Sequence, residues 1–193
     1  MSEDCIIRNG APTLAGLKTG NLFTCPCPSR EALRNDLRQL NQKLTPKGLR
    51  ILPLRFSAEK ALIYLYRPAM LLSDLSQESA AALLRSRGYD TGSCERCVGR
   101  LAKKLRQQED FPHEIGLFLG YPPEDVQGFI EQGASHCKAY GCWRVYGDEE
   151  AARKKFAQYK HCTRCYREQW AKTRDFDRLT VAARGSADRH FPS

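Results

Sequence analysis

The residues in this sequence best able to do chemistry are cysteines. Nine occur, at positions 5, 25, 27, 94, 97, 137, 142, 162 and 165, and eight of them fall in four close pairs. Cys94-Glu95-Arg96-Cys97 and Cys162-Thr163-Arg164-Cys165 each hold two sulfurs three positions apart. Two such pairs can complete a tetrahedral four-thiolate site for zinc or iron. The same spacing serves a redox dithiol, whose pKa a helix start and a neighbouring Arg would lower. With 64 residues between the pairs, only the fold can bring them together. Cys137 and Cys142, with His136 and His161 nearby in sequence to cysteines, form a reserve set of ligands. Cys25-Pro26-Cys27 is too tight for easy chelation by its own backbone and could give one ligand. The plain alternative is that a free Cys packs as a small apolar side chain. Cys94 fits that reading too, since it shares a helix face with Val98, Leu101 and Leu105.

His113-Glu114 is the one His-carboxylate pair beside a glycine-rich segment. It could be acid/base machinery or part of a metal site. Glu114 also follows Pro112 at an expected helix start, where the positive end of the helix dipole favours a carboxylate without any catalysis. The zinc-protease pattern His-Glu-x-x-His is not completed, because position 117 is Leu. No glycine loop is followed by Lys-Ser/Thr, and there is no Gly-x-Ser-x-Gly elbow.

The elements that must position these residues are mostly helical. Ser29 caps a helix carrying Leu33, Leu37, Leu40 and Leu44, which Thr45-Pro46-Lys47-Gly48 stops. Two short strands, 49–55 and 60–66, flank a hairpin connection, and Pro53 weakens the first or puts it at an edge. Residues 142–146 have strand composition and are the expected third strand. Residues 11–23 read as a loop or a short helix opening on Pro12. Further helices open at Ser76, at Ser93 and at Asp148, the Ser93 helix ending at Asp110-Phe111-Pro112. Residues 113–130 have the spacing of a helix-turn-helix. Its second helix presents Glu124, Asp125, Gln127 and Glu131, the wrong sign for phosphate, so it is a packing unit and not a DNA reader. The expected architecture is an α+β fold: one mostly helical domain over residues 1–171 with a small antiparallel sheet of about three strands, then a polar tail over 172–193 that frays.

With 193 residues, 41% hydrophobic and 27% charged, the composition is that of a globular domain. No stretch is long and apolar enough to span a membrane, and the N-terminal residues lack the basic-then-apolar run of a signal peptide. A reducing cytoplasm is therefore the expected location. Lys and Arg number 31 against 22 Asp and Glu, a net charge of +9, and the excess lies in residues 1–60 and 133–193. A basic C-terminal third could meet nucleic acid or an acidic partner, or simply be a solvated face.

Two segments carry a family resemblance. One runs from Phe111-Pro112-His113-Glu114-Ile115-Gly116 through Tyr121-Pro122-Pro123-Glu124-Asp125-Val126 to Ile130. The other is Cys142-Trp143-Arg144-Val145-Tyr146-Gly147-Asp148 with Ala151 to Phe156. Together with Ala11-Pro12-Thr13-Leu14-Ala15-Gly16-Leu17-Lys18 they resemble domain-of-unknown-function family 3793, common in anaerobic Firmicutes, over about residues 5–165. The resemblance implies a role in iron or redox physiology, with a redox or iron-handling protein as partner. Members of that family often carry a His-Cys pair just before the Ala-Pro-Thr-Leu run; here Asn9-Gly10 stands there, with Cys5 the nearest substitute. The first expectation is thus a cysteine-based zinc or iron protein, ligated by Cys94, Cys97, Cys162 and Cys165 with Cys137 and Cys142 in reserve. A thiol-dependent or cofactor-binding enzyme using His113 and Glu114 is the second. A nucleic-acid or protein adaptor using the basic C-terminal region is the third.

Overall fold

The computed structural model describes residues 1–107 and 111–183. Its centre is a three-stranded antiparallel sheet, β1 (Gly20–Pro26), β2 (Arg50–Phe56) and β3 (Lys60–Tyr66), in the order β1-β3-β2. β3 lies in the middle and is covered on both faces, which is why Ala61-Leu62-Ile63-Tyr64-Leu65-Tyr66 reads as an uninterrupted apolar run. Pro53 has no amide hydrogen to give, so β2 takes the edge, and its register shifts between Pro53 and Arg55. The expected strands at 49–55 and 60–66 are therefore present. The third strand is not 142–146 but Gly20–Pro26, paired with β3 along its whole length.

Side-chain alternation sends Ala61, Ile63 and Leu65 to one face and Tyr64 and Tyr66 to the other. The first face is covered by α1 (Glu3–Leu14) and α2 (Arg30–Leu44). α2 is the helix expected from its leucine spacing: Ser29 Oγ accepts from the Ala32 amide at 3.2 Å, and Leu33, Leu37, Leu40 and Leu44 are buried. A 3-10 turn at Thr45–Lys47 ends it. The opposite face is covered by α3 (Pro68–Leu75), α4 (Glu78–Ser86), α5 (Cys94–Gln107) and the single turn α6 (Ile115–Phe118). α7 (Pro123–Gln132) follows α6 through Gly120, so the helix pair expected over 113–130 exists. The expected end of α5 at Asp110 lies outside the described residues.

A two-stranded hairpin, β4 (Ala139–Tyr140) and β5 (Arg144–Val145), leads into the long α8 (Glu149–Thr173). The Asp148 side chain accepts from the Ala151 amide at 3.0 Å and starts α8, as its sequence suggests. The fold is a single α+β domain. Over residues 172–183 the chain does not fray as expected. α8 continues to Thr173, Phe176 and Thr180 are buried, and the Val181 amide donates to Leu14 O at 3.1 Å. The rest of the expected tail, residues 184–193, lies outside the described residues. Among the described residues, no helix is long and apolar enough to cross a membrane.

Candidate functional site

The thiols do not converge. Among the described residues no group of three or more His, Cys, Asp or Glu side chains is placed to hold a metal ion. Cys94 and Cys97 lie on the buried side of α5, in the core on one face of the sheet. Cys162 and Cys165 lie on α8, which packs on α1 beyond the other face. The four-cysteine site expected from the sequence is thus not assembled. Nor are Cys94, Cys97 and Cys162 activated. Burial, with Glu95 beside it, pushes Cys94 up to about 11, and burial pushes Cys162 to about 11 as well. Cys97 is raised by burial and by Asp90, and its S–H donates to Asp90 O at 3.1 Å. At Cys94 and Cys97 desolvation outweighs the helix start that was expected to lower them, whereas Cys162 and Cys165 lie in the middle of α8, away from its start. Cys137 and Cys142 part company as well. Cys137 lies near Arg144, whose Nη1 is 3.7 Å from its sulfur, and Cys142 occupies the β4–β5 turn facing a cleft.

His113 and Glu114 also separate. Glu114, 2% exposed, accepts from Lys104 Nζ at 2.7 Å and from the Tyr89 hydroxyl at 3.0 Å. Burial opposes its ionisation, but the Lys104 and Tyr89 hydrogen bonds and the Lys104 charge outweigh that, so the carboxyl titrates below its usual value. It is an internal ion pair tying α5 to the start of α6. His113 packs edge-on against Phe129, with ring centroids 4.9 Å apart, in a small apolar groove. No hydrogen bond joins the two side chains.

What the fold does build is a cleft of about 720 Å³ between α1 and α8. At its floor is Lys18. The backbone there is fixed from several sides. α1 ends at Pro12-Thr13-Leu14, and the amides of Leu17 and Lys18 both turn back to Pro12 O, at 2.9 and 3.2 Å. Gly16, at φ +75°, makes that reversal without the strain a side chain would bring. Two residues after Lys18 β1 begins, and Thr13 Oγ1 donates to Asn21 Oδ1 at 2.7 Å across the turn. The Arg67 guanidinium holds the end of α1, donating from Nε to Thr13 O at 2.7 Å and from Nη2 to Leu14 O at 2.8 Å.

The Lys18 side chain is 7% exposed. Its amine lies 5.3 Å from the Tyr121 ring centroid and 5.9 Å from that of Tyr159. The Tyr121 ring is itself held: it stacks on Trp143 at 4.8 Å and donates its hydroxyl to Cys142 O at 3.0 Å. No carboxylate or hydrogen-bond acceptor among the described residues reaches the amine. Burial therefore lowers it from 10.5 to about 8, against a small opposing pull from the Cys142 thiol. Above the floor, α8 contributes Lys160, Arg164 and Arg167, with Glu168 the one carboxylate among the described residues on the cleft wall. Residues 157, 160, 161, 164 and 168 share a helix face, so this cationic wall follows from the α8 sequence itself.

His161 lies on the same wall. Its Nδ1 is 3.1 Å from Arg164 Nη2, and its Nε2 is 3.5 Å from Cys165 Sγ. Arg can only donate, so Nδ1 is the acceptor and the neutral ring carries its hydrogen on Nε2, facing the sulfur. In that tautomer His161 cannot take the Cys165 proton. Zinc bonds of about 2.0 Å to nitrogen and 2.3 Å to sulfur would place two tetrahedral donors roughly 3.5 Å apart, the separation of this pair, but ligation through Nε2 requires its hydrogen to move to Nδ1 and the Arg164 contact to be given up.

Sequence reasoning missed Lys18. It lies inside the Ala11–Lys18 run, but spacing alone does not set it apart from the other 30 basic residues. Only the packing of Tyr121 and Tyr159, from distant segments, shows that it is buried. No curated protein and no solved structure matches the chain. The profile of one family, described as Protein of unknown function (DUF3793), matches residues 6–180. That range takes in the α1 turn, the aromatic floor and the α8 wall together, and the chain belongs to this family.

Proposed function

We propose that this protein binds a small anionic organic molecule in the cleft between α1 and α8, with Lys18 at the floor and Arg164, Arg167 and Lys160 on the wall. The observation that carries this is the ammonium of a buried lysine that opens onto the cleft with no counter-charge among the described residues. An uncompensated buried charge is costly, and natural folds keep one where a ligand supplies the missing partner. Guanidinium groups on the wall suit a phosphate or carboxylate, which they can grip with two parallel hydrogen bonds. The basic surface of α8, which on sequence suited an adaptor, forms one side of a cleft sized for a small molecule. This corresponds to the cofactor-binding alternative of the sequence reading, with a different set of residues. The test is thermal unfolding of the full chain with inorganic pyrophosphate. A ligand at a hundred times its Kd adds about 2.7 kcal/mol of stability. Stabilisation that saturates in the wild type and is lost in Lys18→Met supports the reading; an equal response in both overturns it.

A second reading keeps the metal. The His161–Cys165 separation favours a zinc or iron ion held at two corners by this pair, the other corners being filled by solvent or by the cleft's ligand. Zinc titration of the protein prepared without oxygen checks it. Binding near one equivalent that Cys165→Ser abolishes supports it, and binding unaffected by that substitution does not.

A further inference from the structure

From the position of Lys18 we infer that its amine is a nucleophile, forming an imine with the aldehyde or ketone group of the anionic ligand. This rests on the reading of the cleft as an anion site and names the chemistry of its floor. The wall supplies further cations for anion recognition, so Lys18 is free to meet a second group of the ligand as well. What Lys18 adds is a primary amine in an apolar recess. The ring centroids of Tyr121 and Tyr159 lie 5.3 and 5.9 Å from its nitrogen, and no acceptor among the described residues orients it as a donor. Removal from water favours the neutral, nucleophilic amine over the ammonium. An exposed lysine such as Lys154, paired with Glu150 at 2.7 Å, has neither advantage.

The step balances without an oxidant or reductant. The ammonium first gives one proton to solvent. The nitrogen lone pair adds to the carbonyl carbon, forming the C–N bond, while the carbonyl π-pair moves to oxygen, which takes up one of the two protons left on nitrogen. The carbinolamine then loses its hydroxyl with the last nitrogen-bound proton as one water, leaving C=N. The cationic wall holds the ligand's phosphate or carboxylate while the carbonyl meets the floor. Holding the reactants together in this way converts a bimolecular addition into an intramolecular one.

The probe is pyridoxal 5′-phosphate, an aldehyde bearing a phosphate, added to the full chain. Sodium borohydride reduces any imine to a stable amine, and peptide mass mapping locates it. The first equivalent is expected on Lys18, and inorganic pyrophosphate is expected to suppress it. Pyridoxal, which lacks the phosphate, should label about tenfold less at equal concentration, the value of roughly one charge-assisted contact. Lys18→Arg removes the primary amine and should give no adduct at this position. Label spread over exposed lysines with Lys18 unmodified, while pyrophosphate still stabilises the protein, would overturn the imine and leave the anion site standing. Label on Lys18 that pyrophosphate does not affect, in a protein pyrophosphate does not stabilise, would overturn the anionic half of the inference. The mapping uses the wild-type chain, so its outcome does not depend on a variant folding.

Discussion

Lys18 sets a functional group against stability. Its amine falls from 10.5 to about 8 on folding. Since a tenfold change in proton affinity is worth about 1.4 kcal/mol, keeping this side chain charged and buried costs on the order of 3 kcal/mol below pH 8. The folded state binds the proton less tightly than the unfolded one. Between pH 8 and 10.5 the unfolded chain therefore carries more protons at this site, and stability rises with pH there. Lys18→Met keeps most of the packing against Tyr121 and Tyr159 and removes the charge. At pH 7 and without ligand, it should be about 1–3 kcal/mol more stable than the wild type. By pH 10 the difference should have shrunk. Urea unfolding of the two proteins at both pH values checks this, and comparing them cancels the titration of other groups. A variant less stable at both values would show that the amine has a partner in the fold. Gly10 shows the opposite economy: a Cβ there would lie 2.5 Å from Leu65 Cδ2, so the small residue is what lets α1 sit close on β3.

At the scale of elements, Asp125 holds the small hairpin to the helical body. It is 2% exposed, and its carboxylate accepts from the Trp143 indole at 2.7 Å and from the amides of Tyr146 and Gly147 at 2.6 and 2.7 Å. Three donors and a charge are satisfied by one side chain in the first turn of α7. Asp125→Ala would leave buried N–H groups unpaired, at about 1–3 kcal/mol each if no water reaches them. The expected outcome is local release of β4 and β5. Trp143, now buried, should shift its fluorescence to longer wavelength, and the aromatic floor under Lys18 should loosen, weakening pyrophosphate binding. An unshifted Trp143 spectrum would mean that α8 contacts alone hold the hairpin.

The same residue marks the limit of what the sequence shows. Asp125 was legible as an acid suited to a helix start, and it is one. Its hydrogen bonds to residues 143–147 depend on a tertiary contact no local pattern reports. α2 was readable because cap, leucine spacing and stop signal agree over fifteen residues. α1 and β1 were not. Pro12 lies inside the last turn of α1, where a helix is expected to begin or break. β1 was absorbed into a glycine-spaced stretch, while 142–146 competed for its place in the sheet. The cysteine pairs were visible as spacing, but which layer each helix joins is decided by the sheet between them.

At the scale of the whole molecule, Arg67 joins three remote parts of the chain. Besides Thr13 O and Leu14 O, its guanidinium donates to Val181 O at 2.7 Å. Val181 returns its amide to Leu14 O, and the Ala183 amide donates to Lys47 O at 3.0 Å. The segment after α8 is thereby sewn to the end of α1 and to the turn after α2, with Phe176 filling the core between them. Arg67→Met preserves much of the side-chain volume and removes all three hydrogen bonds. Hydrogen bonds to a charged donor are worth about 1.5–3 kcal/mol each, so the loss should exceed about 3 kcal/mol even if water replaces some of them. The loss is also directional. Amide hydrogen exchange should rise at residues 15–19 and 181–183, whereas α4 and α5, on the far face of the sheet, should keep their relative protection. Because Lys18 is placed by that same turn, pyrophosphate binding should weaken although Arg67 does not line the cleft. If exchange rises evenly over the whole chain and binding is unchanged, Arg67 only stabilises the domain; if both changes stay with the α1 turn, the packing of the C-terminal segment is what sets the floor of the site.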